Sequence, residues 1–458
     1  VTTVVCIGAG IVGIYAALRM RRSLPSARIL LVEQDDQIGG LLRSDLHPNG
    51  LYYDRGTHIL SETGVPEIDS LLFDGLAADE WHEFAGPLRD LSGLMIDEAV
   101  MNASPFLDAS CIPDAVLQVK PATKLEAAST LHALLVRQHG RSLAEAVFRQ
   151  PLYNLYQRDL EELDPFVANQ LPLGRVVWDD LATWLQLCDD DDYRARIACP
   201  DQRRLPERYA SPLKAFYPRQ MGVGRLFTQL GRKLEAAGVE LRTSTAVSSI
   251  ERRPDDAIAC VTLRRGDGEM IVADEDLRLV WAATPFPLLG LLGARRPETQ
   301  FQPGWRAVLV DFRARLRKPL SCYYYIDYGA GDGFRLTNYS ALSAQAATQE
   351  AAPFTYELWW RSETLDEAAV HRFVAQRFCA LGLICQAGDI VDIRLRSTSQ
   401  SVLLPTMANM ASLRQLAANV DEAQPRNMIN IGLLSRPNLF FTGDMLRNAE
   451  ERLVEALG

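Results

Sequence analysis

Several things are scarce in this sequence, and each scarcity removes a class of protein. Its eight cysteines, spread over 458 residues, include no pair spaced as CxxC. Neither a disulfide framework nor a zinc site is therefore written into the chain, and reduced thiols in a cytoplasmic compartment are expected. The six histidines form no ligand spacing, so no metal is expected. No run of about 18 apolar residues occurs, which argues against a transmembrane helix. The given residues start almost inside the first strand, so no signal peptide is expected ahead of it. Acids outnumber bases, 58 to 48, for a net charge of −10, and nonspecific nucleic-acid binding lacks its electrostatic footprint. No repeat with a period of roughly 20–50 residues is visible either. What is present is an ordinary globular composition, 48% hydrophobic and 23% charged. The length allows roughly three domains at about 150 residues each.

The most informative segment is the first forty residues. Thr3-Val4-Val5-Cys6-Ile7 is a short apolar run suited to a buried parallel strand. Gly8-Ala9-Gly10-Ile11-Val12-Gly13 follows at once and fits GxGxxG; Ile14 to Met20 then reads as a helix. A second apolar strand, Arg28 to Val32, ends at Glu33, twenty residues after Gly13. This β-α-β unit is the pattern of a dinucleotide site. Gly8 permits the tight turn, Gly10 lets backbone approach a pyrophosphate, and Gly13 lets helix and strand pack closely. The helix N-terminus faces the phosphate charge. Glu33 can accept hydrogen bonds from both ribose hydroxyls and would repel a 2′-phosphate, which favours an adenosine diphosphate moiety lacking that group.

The segments that follow resemble a particular family. Gly39-Gly40 with Arg43 lies just beyond the ribose acid. Tyr53-Asp54-Arg55-Gly56-Thr57-His58-Ile59 follows, then Phe216-Tyr217-Pro218-Arg219-Gln220-Met221-Gly222-Val223-Gly224-Arg225-Leu226 in mid-chain and Asn438-Leu439-Phe440-Phe441-Thr442-Gly443-Asp444 near the end. In this order they resemble the FAD-dependent superfamily of protoporphyrinogen oxidase, amine oxidases, phytoene desaturases and UDP-galactopyranose mutase. The Gly-x-His-Ile spelling is closest to the mutase branch. Gly443-Asp444, where that branch tends to have Gly-Arg, favours the oxidase and desaturase side.

The resemblance implies non-covalent FAD. Gly39 and Gly40 would let backbone pass the flavin side of the cofactor, and Arg43 would meet the pyrophosphate or the flavin edge. The backbone of Val247 would hold the adenine. Gly443 and Asp444 would end an apolar strand and bind the ribityl chain, with a helix over Ala449 to Leu457 following. His58 would lie beside the flavin ring, as an acid, a base or a hydrogen-bond partner. Met221 departs from the family turn, where a glycine is usual.

The expected fold is α/β. A Rossmann-like FAD-binding domain would be assembled from 1–75, 212–290 and 426–458, with a substrate domain inserted as 76–211 and 291–425. Residues 76–211 read largely helical, with a helix over Thr123 to His139 and another over Arg141 to Tyr156. Aromatic and β-branched runs between 301 and 363 read as an antiparallel sheet walling the substrate site. A helix follows from Leu365 to Leu381. Arg335, between aromatics in that sheet, could clamp a carboxylate or phosphate. The acidic run Asp189 to Asp192 reads as a solvated loop. The expected function is an FAD-dependent oxidoreductase taking hydride from a small-molecule substrate. A non-redox nucleotide-sugar mutase is the alternative, and a flavin-binding scaffold without turnover is a third class.

Overall fold

The computed structural model describes residues 2–112, 128–297, 301–302, 304–433, 435–436 and 439–457, with backbone alone at 397–401. Five strands form a parallel sheet in the order Glu240–Arg242, Arg28–Val32, Thr3–Ile7, Leu277–Trp281 and Met428–Asn430. Every residue of Thr3–Ile7 is buried, as the central strand of a sheet covered on both faces must be. Ile7 lies in register with both Val32 and Trp281, so the chain leaves all three strands at the same sheet edge. Gly8, Glu33 and Ala282 therefore emerge side by side, where open α/β sheets place their ligands.

Helix Ile11–Ser23 buries Ile11, Val12, Ile14, Tyr15, Ala16, Ala17, Leu18 and Met20. That is too many for a helix with one wet face. The sheet takes one side, and helix Thr442–Leu457 takes another, with Arg19 Nε 3.0 Å from Glu450 Oε2. A three-stranded antiparallel sheet, Ala246–Arg252, Ile258–Arg265 and Gly268–Ala273, packs its apolar side against the parallel sheet.

The second large unit is a seven-stranded sheet in the order Ile390–Val402, Trp305–Ala314, Ala352–Trp360, Gly333–Asn338, Tyr324–Asp327, Ser92–Ile96 and Ala99–Met101. One face, with Phe312, Phe354 and Tyr356, packs on helix Glu367–Ala380 through Phe378. Side chains alternate along each strand, so Thr355, Glu357 and Trp359 point the other way, together with their cross-strand partners Thr337 and Arg335. That face looks toward the loop carrying residues 54–58.

Several expectations need correcting. Residues 76–211 are not mainly helical at their start. Trp81–Phe84, Ser92–Ile96 and Ala99–Met101 are strands, and Ser92–Ile96 runs parallel to Tyr324–Asp327. The strand Ile390–Val402 and helix Met407–Glu422 were not anticipated. The helix expected from Thr123 begins at Leu131, where the Thr130 hydroxyl accepts the Ala133 N–H; Thr123 lies outside the described residues. The run from Arg141 to Tyr156 is helical but passes through a π-turn at Ala144–Phe148. The last motif does not end a strand. Met428–Asn430 is the edge strand of the parallel sheet, the described residues 439–441 are irregular, and the helix begins at Thr442 rather than Ala449. Asn438 lies outside the described residues. In the acidic run, Asp190 caps the short helix Asp191–Arg194 and Asp189 pairs with Arg208.

All eight cysteines are free. Among the described residues no helix is long and apolar enough to cross a membrane.

Candidate functional site

The glycine turn divides its labour as the spacing demands. Gly8 sits at φ +94°, where side chains are strained, and a Cβ there would stand 3.1 Å from Ala283 N. A Cβ on Gly13 would stand 1.8 Å from the Gly8 carbonyl oxygen, so helix and strand can close only over glycine. Gly10 differs, since nothing lies within 4 Å of where its Cβ would be. Its absent side chain serves open space rather than packing. Gly10 is also the N-cap of helix Ile11–Ser23, with no side chain capping it and no acid in the first turn. A helix start without a cap leaves its first N–H groups and its positive dipole end for an anion.

Glu33 stands beside this turn. Its carboxylate accepts the Ala9 N–H at 2.8 Å on one oxygen and the Asp35 N–H at 2.9 Å on the other. Each oxygen keeps a second lone pair for a hydroxyl donor. Gly39 N donates to Ala9 O at 2.8 Å, and a Gly40 Cβ would stand 3.4 Å from Gly10 Cα. Both residues have positive φ, at +119° and +56°. The Gly39-Gly40 loop thus lies directly against the glycine turn, with Leu41 exposed beside it. Arg43 is folded back onto this loop, pairing with Asp35 and donating through Nε to Gly40 O at 3.3 Å.

The chain from 43 to 58 has little secondary structure of its own and is held by buried polar groups. Asp54 accepts the Ser44 hydroxyl at 2.6 Å, the Val223 N–H at 2.8 Å and the Tyr217 hydroxyl at 2.6 Å. Its own N–H donates to the Tyr339 hydroxyl at 2.9 Å. Burial pushes the Asp54 carboxyl up to about 6, against the pull of those donors. Behind it, Asp311 accepts from Thr355 and Arg396 and faces His47 Nε2 at 3.1 Å. The departure at Met221 leaves the mid-chain turn intact: Met221 is buried, and Gly222 and Gly224 pack against Tyr52 and Ser44.

The inner wall joins His58 to the seven-stranded sheet. Arg335 and Glu357 form a two-pronged pair, Nε to Oε1 at 2.8 Å and Nη2 to Oε2 at 3.0 Å. Glu357 Oε1 also accepts the Thr57 N–H at 2.9 Å and its hydroxyl at 3.2 Å. Gly56, at φ +111°, lets this loop approach the carboxylate. His58, Tyr324, Arg335 and Glu357 are surrounded by protein while keeping partial solvent exposure. Burial, aided by the Arg335 charge, holds His58 down to about 4, so its ring is neutral at pH 7. Its Nε2 faces Arg55 O at 3.2 Å. Nearby, Phe334 stacks on Trp359 at 4.0 Å, flanked by Trp305 and Tyr156. Arg335 is thus partly engaged where a free anion clamp was expected: Nε and Nη2 bond Glu357, while Nη1 has no hydrogen-bond partner among the described residues.

The other expected residues are placed as follows. Val247 lies in strand Ala246–Arg252 opposite Leu263, next to a register shift. Gly443 and Asp444 form the first turn of helix Thr442–Leu457. Asp444 pairs with Arg447 at 2.6 Å, and Arg447 Nη1 donates to Thr63 O at 3.0 Å. Glu357 escaped the sequence reading, although a lone acid in Phe354-Thr355-Tyr356-Glu357-Leu358-Trp359 was a signal. No local pattern marks Asp54 as an anchor. Outside this site, His132, Glu145 and Glu161 bring ligand atoms within 4.8 Å of one another. The Arg149 guanidinium already bonds both carboxylates there, which opposes a cation.

A family model for the NAD(P)-binding Rossmann-like domain matches residues 6–72, the segment holding the glycine turn, Glu33 and His58. The chain shares its α/β fold with several solved enzyme structures. It superposes on reduced UDP-galactopyranose mutase with a TM-score of 0.66 at 15% identity, covering 100% of this chain and 94% of that one. A protein named as a protoporphyrinogen oxidase from Exiguobacterium sp. 255-15 gives 0.65 at 13% identity, covering 100% and 98%. Cyclohexylamine oxidase from Brevibacterium oxydans IH-35A gives 0.56 at 15%, covering 100% and 98%. No curated protein matches in sequence. At these identities the likeness is one of fold, and function must be argued from the site.

Proposed function

We propose that the protein is an FAD-dependent oxidoreductase that takes hydride from a C–H bond of a small-molecule substrate. The observation that carries this reading is the open, uncapped helix start at Gly10, flanked by Glu33 and by the Gly39-Gly40 loop, all at one sheet edge. These residues fit an adenosine diphosphate moiety continued by a ring system. Gly8, Gly10 and Gly13 would shape the pyrophosphate turn, and Glu33 would take the ribose hydroxyls. Gly39, Gly40, Arg43, Val247, Gly443 and Asp444 would line the rest of FAD, held without a covalent link. We assign the cofactor domain to 1–75, 212–290 and 426–458, with the substrate domain between.

Bound FAD would supply the hydride acceptor, and the protein's part is to orient the substrate and set protons. His58 is neutral at pH 7, so it serves as a hydrogen-bond partner or a proton acceptor and not as a standing cation. The Arg335–Glu357 pair presents a neutralised wall beside the aromatic cluster of Phe334 and Trp359. A wall of that kind suits an uncharged or weakly polar substrate better than a diphosphate, which favours the oxidoreductase over the mutase.

The purified protein should be yellow, with oxidised-flavin absorbance. A colourless protein that takes up no added FAD would end this reading. Anaerobic mixing with amines, porphyrinogens and polyenes should bleach the flavin for at least one class. If none bleaches it, while a nucleotide sugar is isomerised only after dithionite reduction, the mutase reading replaces this one.

A further inference from the structure

Helix Arg225–Ala236 has two unlike faces. Leu226, Phe227, Leu230 and Leu234 are buried, and Phe227 lies 3.1 Å from where a Gly39 Cβ would stand. The opposite face carries Arg225, Thr228, Gln229 and Arg232, at the i, i+3, i+4 and i+7 positions of one stripe. With Arg219 and Trp81, this stripe lines a crevice of about 330 Å³, near the lower end of the roughly 300–1,000 Å³ range of small-molecule sites.

Three arginines line it, Arg219, Arg225 and Arg232. Asp79 and Glu80 stand on the same rim, yet among the described residues no acid lies within 4.0 Å of Arg219, Arg225 or Arg232. Arg219 is set in place by its backbone. Its N–H donates to Glu80 O at 2.8 Å and its Nε to Ala78 O at 2.9 Å, which leaves its terminal nitrogens for the crevice. Arg225 bonds the Gln220 side-chain oxygen and stands 5.9 Å from the Tyr52 ring centroid, and among the described residues Arg232 has no hydrogen-bond partner. Gathering three like charges is unfavourable unless an anion completes them, and arginine forks match phosphate oxygens in pairs. Trp81 is buried at 5% exposure and reaches the crevice wall from the core, close enough to report a bound ligand by its fluorescence.

We propose that this crevice is a second ligand site, taking a small molecule that carries a diphosphate group. It lies on the far side of the helix from the Gly39 loop and does not depend on the flavin reading. The test is calorimetric titration of the full chain, saturated with FAD, first with inorganic pyrophosphate and then with ADP. Saturable binding is expected with FAD still bound, at least tenfold weaker in Arg219→Gln and in Arg232→Gln, and weakening with added salt. Arg232 is exposed and unbonded, so its replacement does not threaten folding. Tighter binding of ADP than of pyrophosphate, with tryptophan quenching lost in Trp81→Phe, would identify a nucleotide; equal affinities would identify the diphosphate alone. The proposal is overturned by no saturable binding, by binding unaltered in both arginine variants, or by a probe that binds only by displacing FAD, which would place it at the glycine turn.

Discussion

Gly10 and Gly13 should respond in opposite ways to one added methyl group. Gly10 has φ −72° and ψ 176°, a conformation alanine adopts freely, and a Cβ there meets nothing within 4 Å. Gly10→Ala therefore costs only what a poorer N-cap costs, at most about 1 kcal/mol. The same methyl group would fill the space in which a pyrophosphate must approach the backbone. FAD should bind at least about 100-fold more weakly, which is about 2.7 kcal/mol of binding free energy. At Gly13 the new Cβ would be 1.8 Å from the Gly8 carbonyl oxygen. Relief requires helix Ile11–Ser23 to lift more than about 1 Å off its strand, and overpacking of that severity costs about 3 kcal/mol or more. The assay pairs a urea unfolding midpoint with an FAD titration followed by flavin fluorescence. Gly10→Ala should keep the midpoint and lose FAD, whereas Gly13→Ala should lose both. If Gly10→Ala binds FAD within twofold of the unaltered protein, the phosphate assignment is wrong.

Three further expectations rest on the inner wall. Glu357→Gln strands the enclosed Arg335 without its carboxylate and should destabilise the protein by about 3 kcal/mol, while the double variant with Arg335→Met should recover most of that; strictly additive losses would show that the pair is not coupled. Asp54, raised from the ordinary 3.8 to about 6, binds its proton more tightly folded than unfolded. Its stabilising contribution is complete below about pH 4 and is lost as pH rises through 6. Asp54→Asn, which keeps an acceptor for Ser44 and Val223, should erase up to about 3 kcal/mol of that pH dependence; unfolding curves at pH 4.5 and 8 that shift in parallel for the two proteins would contradict it. His58, held down to about 4, contributes stability above pH 6.5 that is lost as pH falls toward 4. Its ring proton resonances should stay flat from pH 8 to 5, and an ordinary midpoint near 6.5 would refute the enclosure of that ring.

What could be read from the sequence was what is contiguous. The first strand, the glycine turn and Glu33 span about thirty residues, and each glycine's task follows from the spacing alone. The aromatic strands between 305 and 360 were legible from alternation and β-branching. Contacts made across long separations were not. Thr57 and Glu357 are 300 residues apart, and Asp54 and Val223 are 169 apart; no local pattern reports such a partner. Arg335 shows the limit well. Its neighbours in the strand suggested an exposed fork, whereas a cross-strand register with Glu357 engages Nε and Nη2 and leaves only Nη1 without a carboxylate. The strand Ser92–Ile96 was overlooked for a related reason, since its short hairpin with Ala99–Met101 joins the large sheet by docking beside the distant Tyr324–Asp327. At the C-terminal motif, Asn-Leu-Phe-Phe has the composition of a strand, but the edge of the parallel sheet is already taken by Met428–Asn430.

The loop from 39 to 58 explains why the chain is threaded as it is. It would form the wall nearest the proposed ring system, yet it has only two three-residue strands to stiffen it. Its geometry comes from groups supplied elsewhere: Tyr217 and Val223 from the mid-chain turn, Tyr339 and Glu357 from the seven-stranded sheet, and Arg396, which donates to Asp54 O at 2.7 Å. Every one of these bonds is buried or partly buried, where an unmade hydrogen bond is costly, so the loop cannot relax in one place without stranding polar atoms in two others. The insertion of the large sheet between the segments of the parallel sheet is thus a structural requirement of the site. The sheet that would touch the substrate is the same one that fixes His58 and Thr57, and movement of that sheet must be felt at the cofactor wall.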